Sequence, residues 1–195
     1  MKTTALILAA GQSRRMGKQN KLLTPWQGKP LLQYVLEAAK KSICQHTIVV
    51  SGHQRLAVEA LTTTVHPEAR LTHNSRHSEG MGTTLAAGMA AQSDDVEAVI
   101  VLLGDMPLVT SAHLDEMHEK AAGWGDPNSL VIASDGFAQG NPVMFGKGWF
   151  DRLAQSRGDR GARDILKSDA ARMLVDIGPA ARRDFDTPNA FEQKP

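Results

Sequence analysis

Two short apolar runs, Thr4-Ala5-Leu6-Ile7-Leu8-Ala9 and Ala98-Val99-Ile100-Val101-Leu102-Leu103, constrain the fold of this chain more than anything else in it. Neither is long enough for a buried helix and neither alternates apolar with polar, so each predicts a strand covered on both faces. Covering both faces requires helices above and below a sheet. Residues 29–41 supply one, with Leu31, Leu32, Val35, Leu36 and Ala39 at helical spacing and Pro30 suited to the first turn. Further along, 47–51 and 70–73 predict strands, while 54–61, 83–91 and 111–122 predict helices. The alternation predicts an α/β fold, a doubly wound, Rossmann-like, mainly parallel sheet with helices on both faces. After residue 125 the rhythm changes: strands at 129–133 and 142–145 flank a turn-rich 134–140, with a helix expected over 161–167 and a late strand over 173–177. That tail predicts a small C-terminal antiparallel addition, as an edge or a lid. At 195 residues, one domain over 1–195 is expected.

Charge narrows the partners. Lys and Arg total 22 against 21 Asp and Glu, a net charge of +1. Nucleic acid or an anionic membrane would favour a basic surface, so the balance argues against both. A small anionic ligand remains open, because it needs only a local cluster of Arg, Lys and backbone N–H groups. The single cysteine, Cys44, excludes an intrachain disulfide and points to a reducing compartment; the thiol itself reads as a small buried hydrophobe. Lys2 and the apolar run after it faintly imitate a signal peptide, but the run is short and passes straight into Gly11-Gln12-Ser13-Arg14-Arg15. No apolar stretch approaches the roughly 20 residues of a membrane span. A soluble, cytoplasmic protein is expected.

The segment Leu8-Ala9-Ala10-Gly11-Gln12-Ser13-Arg14-Arg15-Met16-Gly17 follows the first strand, where sheets of this type bind ligands. Small residues at 9 to 11 let the backbone approach a ligand, Gly11 tolerates positive φ, and the loop's N–H groups suit phosphate oxygens. Arg15 adds a planar fork of donors and Lys21 a compact charge. A solvated turn has the same composition, and the segment matches neither G-x-x-x-x-G-K-[ST] nor G-x-G-x-x-G, which weakens ATPase and dinucleotide-dependent oxidoreductase readings.

Five further segments carry candidates. Asp105, in Gly104-Asp105-Met106-Pro107, ends the strongest strand and reads either as a Mg²⁺ ligand or as a turn residue before the next helix. Asp186, before Thr187-Pro188, reads as a second metal ligand or an Asx-type turn. Gly80, Thr83 and Thr84 form a Gly-rich turn into a helix, with free N–H groups and hydroxyls for an anion or a base edge, or simply an N-cap; His73 and Asn74 precede it. Asn141, before Pro142, can donate and accept hydrogen bonds, and the run Arg157-Gly158-Asp159-Arg160-Gly161-Ala162-Arg163 suits a phosphate and a flat ring, since Arg both pairs with phosphate and stacks on flat rings; a solvated loop is the alternative.

Taken in order, the first loop with Lys21-Leu22-Leu23, Gly104-Asp105-Met106-Pro107, Gly140-Asn141-Pro142, the loop at 157–163 and Asp186-Thr187-Pro188 resemble the nucleotidyltransferases that build sugar nucleotides and molybdenum-cofactor dinucleotides. The likeness spans nearly the whole chain. Ala9-Ala10-Gly11, where guanylyl-transferring relatives have Ala-Gly-Gly, most resembles the molybdenum cofactor cytidylyltransferases. Thr83-Thr84 departs from the family's Ser-Ser-like pair but keeps the hydroxyls.

The resemblance implies transfer of CMP from CTP to the phosphate of molybdopterin, with or without its metal, and release of pyrophosphate. It implies an NTP-binding half over 1–125 and an acceptor-binding half over 126–195. Within the first half, Leu8, Ala9, Ala10, Gly11, His73, Asn74, Gly80, Thr83 and Thr84 would hold the nucleotide. Arg15 and Lys21 would grip its triphosphate. Asp105, with Asp186, would hold Mg²⁺, Mn²⁺ being an alternative. Asn141, Pro142, Asp159, Arg160 and Arg163 would meet the acceptor. GTP or a sugar phosphate as substrate, and a non-catalytic molybdenum-cofactor carrier that serves a client molybdoenzyme or its chaperone, are the rival readings.

Overall fold

In a computed structural model, residues 1–13, 19–168, 170–183, 185 and 191 are described, Arg160 by its backbone alone. Strand β1 (Thr3–Ala9) is buried at every position, and its alternate side chains feed two different cores. Ala5, Ile7 and Ala9 pack with Leu32, Val35 and Leu36 of α1 (Leu31–Lys41) and Leu114 and Met117 of α4 (Ser111–Trp124). Leu6 and Leu8 pack on the other face with Leu85 and Met89 of α3 (Met81–Ala90). The absence of alternation in the first strand is thus explained: both of its faces are interior. A Cβ on Gly88 of α3 would come within 2.4 Å of Leu6 Cδ1, so this helix lies close on the sheet only because a glycine is there.

Strands β4 (His46–Ser51), β5 (Arg70–His73) and β6 (Ala98–Leu103) join β1 in parallel, with α2 (Arg55–Val65) between the first two. The seven-stranded sheet runs β5-β4-β1-β6-β8-β7-β9, where β7 is Leu130–Ser134, β8 Gln139–Gly146 and β9 Met173–Asp176. Only β8 is antiparallel to its neighbours; β7 and β9 pair in parallel. The mainly parallel, doubly wound sheet is as expected. The chain winds outward from β1 through β4 to β5, then returns to β6 on the other side of β1. The carboxyl ends of β1 and β6 therefore flank a topological switch point, the customary ligand crevice. Among the described residues, no helix is long and apolar enough to cross a membrane.

Three elements differ from the sequence reading. The antiparallel strand is not an edge or a lid but sits in the sheet interior, because Val143, Met144 and Phe145 of β8 are as buried as the strands on either side. The first long helix begins at Leu31 rather than at 29: Lys29–Pro30 (β3) pairs with Pro25–Trp26 (β2), and Pro30 is an extended N-cap rather than a first-turn residue. Helix α2 runs on to Val65, past a threonine triplet whose hydroxyls bond back to the carbonyls of Val58, Glu59 and Ala60. Two short helices, α5 (Phe150–Ala154) and α6 (Arg163–Leu166), cover the second core beside α3.

Candidate active site

At the switch point lies a cleft of about 390 Å³, bounded by the loop after β1, the turn at the start of α3, the end of β6 and the loop before α6. The loop after β1 is anchored before it opens. Ala10 is 2% exposed, its carbonyl accepts from His53 N at 3.4 Å, and a Cβ on Gly52 would stand 2.6 Å from its own. Gly11 has open space on its Cβ side, room that a ligand can use. Among the described residues of this loop the positive φ is at Ser13, +50°, and not at Gly11. Ser13 Oγ accepts from Lys21 N (3.1 Å), and Asn20 Oδ1 caps the short turn Lys21–Leu23 by accepting from Leu22 N (3.0 Å). Lys21 is thereby fixed at its backbone.

Its ammonium donates to Asp105 Oδ2. Asp105 follows β6, whose pairing with β1 extends to Gly104 N donating to Leu8 O at 3.1 Å; buried Met106 and Val109 anchor the chain beyond. Asp105 is 8% exposed, and a carboxylate so enclosed requires a charged or hydrogen-bonding partner, which Lys21 provides. The two residues come from positions 84 apart in sequence. Together with the open space at Gly11 they make a place for phosphate oxygens and for a hard cation, which binds through one or two carboxylates and the phosphates themselves. Among the described residues no group of three or more His, Cys, Asp or Glu side chains is gathered for a metal, so a divalent cation here would rely on Asp105 and the phosphates.

The opposite wall is made by backbone. Gly80 has φ +113°, and a Cβ there would fall 2.3 Å from the carbonyl carbon of Gly158; one on Gly82 would fall 2.6 Å from Arg157 backbone atoms. The Gly80 turn and the arginine-rich loop, read separately in the sequence, dock on each other with no room for a side chain between them. The docking puts Asp159 into the cleft with Lys21 and Asp105.

The expected nucleotide residues divide into those lining the cleft and those buttressing it. Leu8, Ala10, Gly11, Lys21, Gly80, Thr84 and Asp105 line it. Ala9 faces the core under α1. Asn74 is 5% exposed and donates from Nδ2 to Thr83 Oγ1 (2.9 Å) and Thr84 Oγ1 (3.1 Å), while its Oδ1 accepts from Arg76 N. Thr83 is not an N-cap, because α3 starts at Met81; its hydroxyl reaches the carbonyls of Arg76 and Gly80. His73 is exposed at the end of β5, its Nδ1 3.4 Å from Ser51 Oγ, away from the cleft lining. Asn141, Pro142 and Arg163 also lie outside that lining: the first two are the third and fourth residues of β8, two and one residues before Val143, which pairs with Val101, and Arg163 is exposed at the start of α6. Arg15 and Asp186 lie outside the described residues, as does the side chain of Arg160.

His77, which the sequence reading passed over, lines the cleft. Burial and the neighbouring His53 and His73 push its pKa below the ordinary histidine value. Its position three residues before Gly80, inside the same turn, was the available signal.

Residues 5–173 match the family described as MobA-like NTP transferase domain. The chain belongs to that family. It is 30% identical over 196 residues to the purine catabolism protein PucB of Bacillus subtilis, covering 96% of this chain and 93% of that one. It is 32% identical over 148 residues to the bifunctional protein GlmU of Desulfotalea psychrophila, of whose length the match spans 40% and of this chain 73%. Among solved structures, Rv0371c of Mycobacterium tuberculosis H37Rv, in a complex with manganese, superposes with a TM-score of 0.80 at 21% identity, over 98% of this chain and 97% of that one. The fold and the family agree, and the chain is a nucleotidyltransferase.

Proposed function

We propose that this nucleotidyltransferase moves CMP from CTP to the terminal phosphate of molybdopterin, releasing pyrophosphate. The observation that carries the reading is the buried Lys21–Asp105 pair at the switch point, set against a glycine-walled cleft that the arginine-rich loop closes. In this reading an oxygen of the acceptor phosphate forms a bond to the α-phosphorus of CTP, and the bond from that phosphorus to the bridging oxygen of the β-phosphate breaks. No general base is required, because the attacking phosphate is already ionised near neutral pH. Positioning and charge neutralisation supply the acceleration. Lys21, with Arg15, faces the triphosphate and stabilises charge gathering on the leaving pyrophosphate. Asp105, with Asp186, would hold Mg²⁺ or Mn²⁺, which when bound neutralises the phosphates. Asp159 and Arg163, with Asn141, Pro142 and Arg160, would orient the acceptor.

The choice of cytidine rests on Ala10, whose methyl packs against Gly52 at the cleft wall. The test is pyrophosphate release by the purified protein with each of the four NTPs, Mg²⁺ or Mn²⁺, and either molybdopterin or a sugar phosphate. Release confined to CTP and molybdopterin is expected. Release with GTP, or with the sugar phosphate, overturns the substrate assignment while leaving the chemistry. No release under any combination, with delivery of cofactor to a molybdoenzyme intact, favours a carrier.

A further inference from the structure

The cleft is electrically lopsided. Lys21 and Asp105 charge one end, under the loop that follows β1 and β6. The other end is the turn from His77 to Gly80 together with Thr84, where Glu79, paired with Arg76, and Asp159 are acidic and a Cβ on Gly52 would lie 2.7 Å from that of His77. Phosphates belong at the end that carries Lys21 and away from the acidic one, so the sugar and base of the nucleotide belong at the His77 end. This argument rests on the nucleotidyltransferase reading of the cleft.

His77 Nδ1 is buried and has no hydrogen-bond partner among the described residues. A buried bare lone pair is tolerated better than a buried unpaired N–H, so the proton of the neutral ring sits on Nε2. Protonating the ring would bury a second, unsatisfied N–H beside two other histidines: His53, whose ring centroid is 6.4 Å away, and His73. Of the other charged groups around it, Arg76 and Glu79 on the same turn pair with each other, Lys21 pairs with Asp105 across the cleft, and Asp159 reaches the cleft from the docked loop.

We infer that His77 is a binding residue for the nucleoside part of the donor, offering a neutral Nε2–H to an acceptor atom of the base or ribose rather than a positive charge to a phosphate. A single neutral hydrogen bond of this kind changes affinity by about three- to tenfold.

Substitution separates the possibilities. Gln places an amide N–H near the Nε2 position, whereas Phe keeps the ring without a donor. His77→Gln is expected to bind CTP with nearly the wild-type Kd, and His77→Phe about three- to tenfold more weakly, with tripolyphosphate binding the same in all three proteins. CTP affinity of the wild type should be flat from pH 7.5 to 5.5 when compared with tripolyphosphate under the same conditions. Equal CTP binding by the Phe variant overturns the inference. So does a tripolyphosphate affinity that climbs in the wild type but not in the Phe variant as pH falls through 6.5, the signature of an imidazolium gripping phosphate. Failure of the wild type to bind any NTP while tripolyphosphate binds would sink the nucleotidyltransferase reading itself, an outcome distinct from either. Thermal melts of the variants without ligand check that they fold.

Discussion

The two sides of the site are built differently. On the donor side, backbone anchors precede every functional group: Lys21 is fixed by Ser13 and the Asn20 cap, Asp105 by strand pairing and buried Met106, and the α3 turn by Asn74 and Thr83. On the proposed acceptor side, Arg163 and Asp159 are exposed, and the backbone of the loop that carries Asp159 lies against Gly80 and Gly82. A pre-organised donor pocket with a surface loop docked on it suits a reaction in which the nucleotide is held in one pose and a second substrate must come and go. Electrostatic pre-organisation is worth most where water is scarce, and the Lys21 and Asp105 side chains are only 15% and 11% exposed.

The largest effect should come from the donor side. Asp105→Asn removes the carboxylate to which Lys21 donates; turnover should fall by about a hundred- to a thousandfold, measured as pyrophosphate release, with the protein still folded by circular dichroism. A loss of less than tenfold would move the centre of the chemistry away from the buried pair.

The glycine junction tests whether the two sides depend on each other. Gly82→Ala drives a Cβ to within 2.6 Å of the Arg157 backbone, which has no flexible end to yield. Overpacking of this kind costs about 1–3 kcal/mol, and the acceptor's KM should rise because the loop that carries Asp159 is displaced. Gly123→Ala is the control: it lies in α4 with open space at its Cβ, so it should stabilise by about 0.5–1 kcal/mol and leave kinetics alone. Equal unfolding midpoints for the two alanine variants would break the comparison.

Arg163→Ala isolates the acceptor side. Loss of one charge-assisted contact at an exposed position should raise the acceptor's KM about tenfold while the KM for the NTP stays put. A rise in the KM for the NTP instead would place Arg163 on the donor.

The smallest effect concerns stability alone. His118 is buried, shares a hydrogen bond between Nδ1 and Thr3 Oγ1 at 3.0 Å, and has its pKa lowered by burial and then by the N-terminal ammonium. The folded ring takes up a proton less readily than the unfolded one, so the unfolded state gains protons first on acidification and stability is lost as pH falls below the ordinary histidine value of about 6.5. His77 and His113, also lowered by burial, act in the same direction. The melting temperature should drop from pH 7 to 5, and His118→Gln should flatten part of that slope.

Legibility followed the range of the interactions. The strand at 3–9, the helices on its two faces, and the ligand edge at Asp105 were readable because burial on both faces writes itself into consecutive residues. Lys21 and Asp105 were readable as charges at strand ends, though not as partners, since their contact joins segments 84 residues apart. Thr83 and Asn74 were taken for nucleotide contacts because hydroxyls and amides look alike whether they face a ligand or the backbone; the structure commits them to the turn.

The sequence by itself determined that a parallel sheet with two apolar faces would form and where along the chain its ligand edge would lie, because local hydrophobic pattern and turn chemistry decide both. Only the tertiary structure decided that β8 enters the middle of the sheet rather than its edge, that Gly80 and Gly82 receive the 157–159 backbone, and that His77 stands in the cleft. Each of these is a contact between distant segments. Such contacts are set by which surfaces fit once the core has formed, and no run of neighbouring residues encodes that fit.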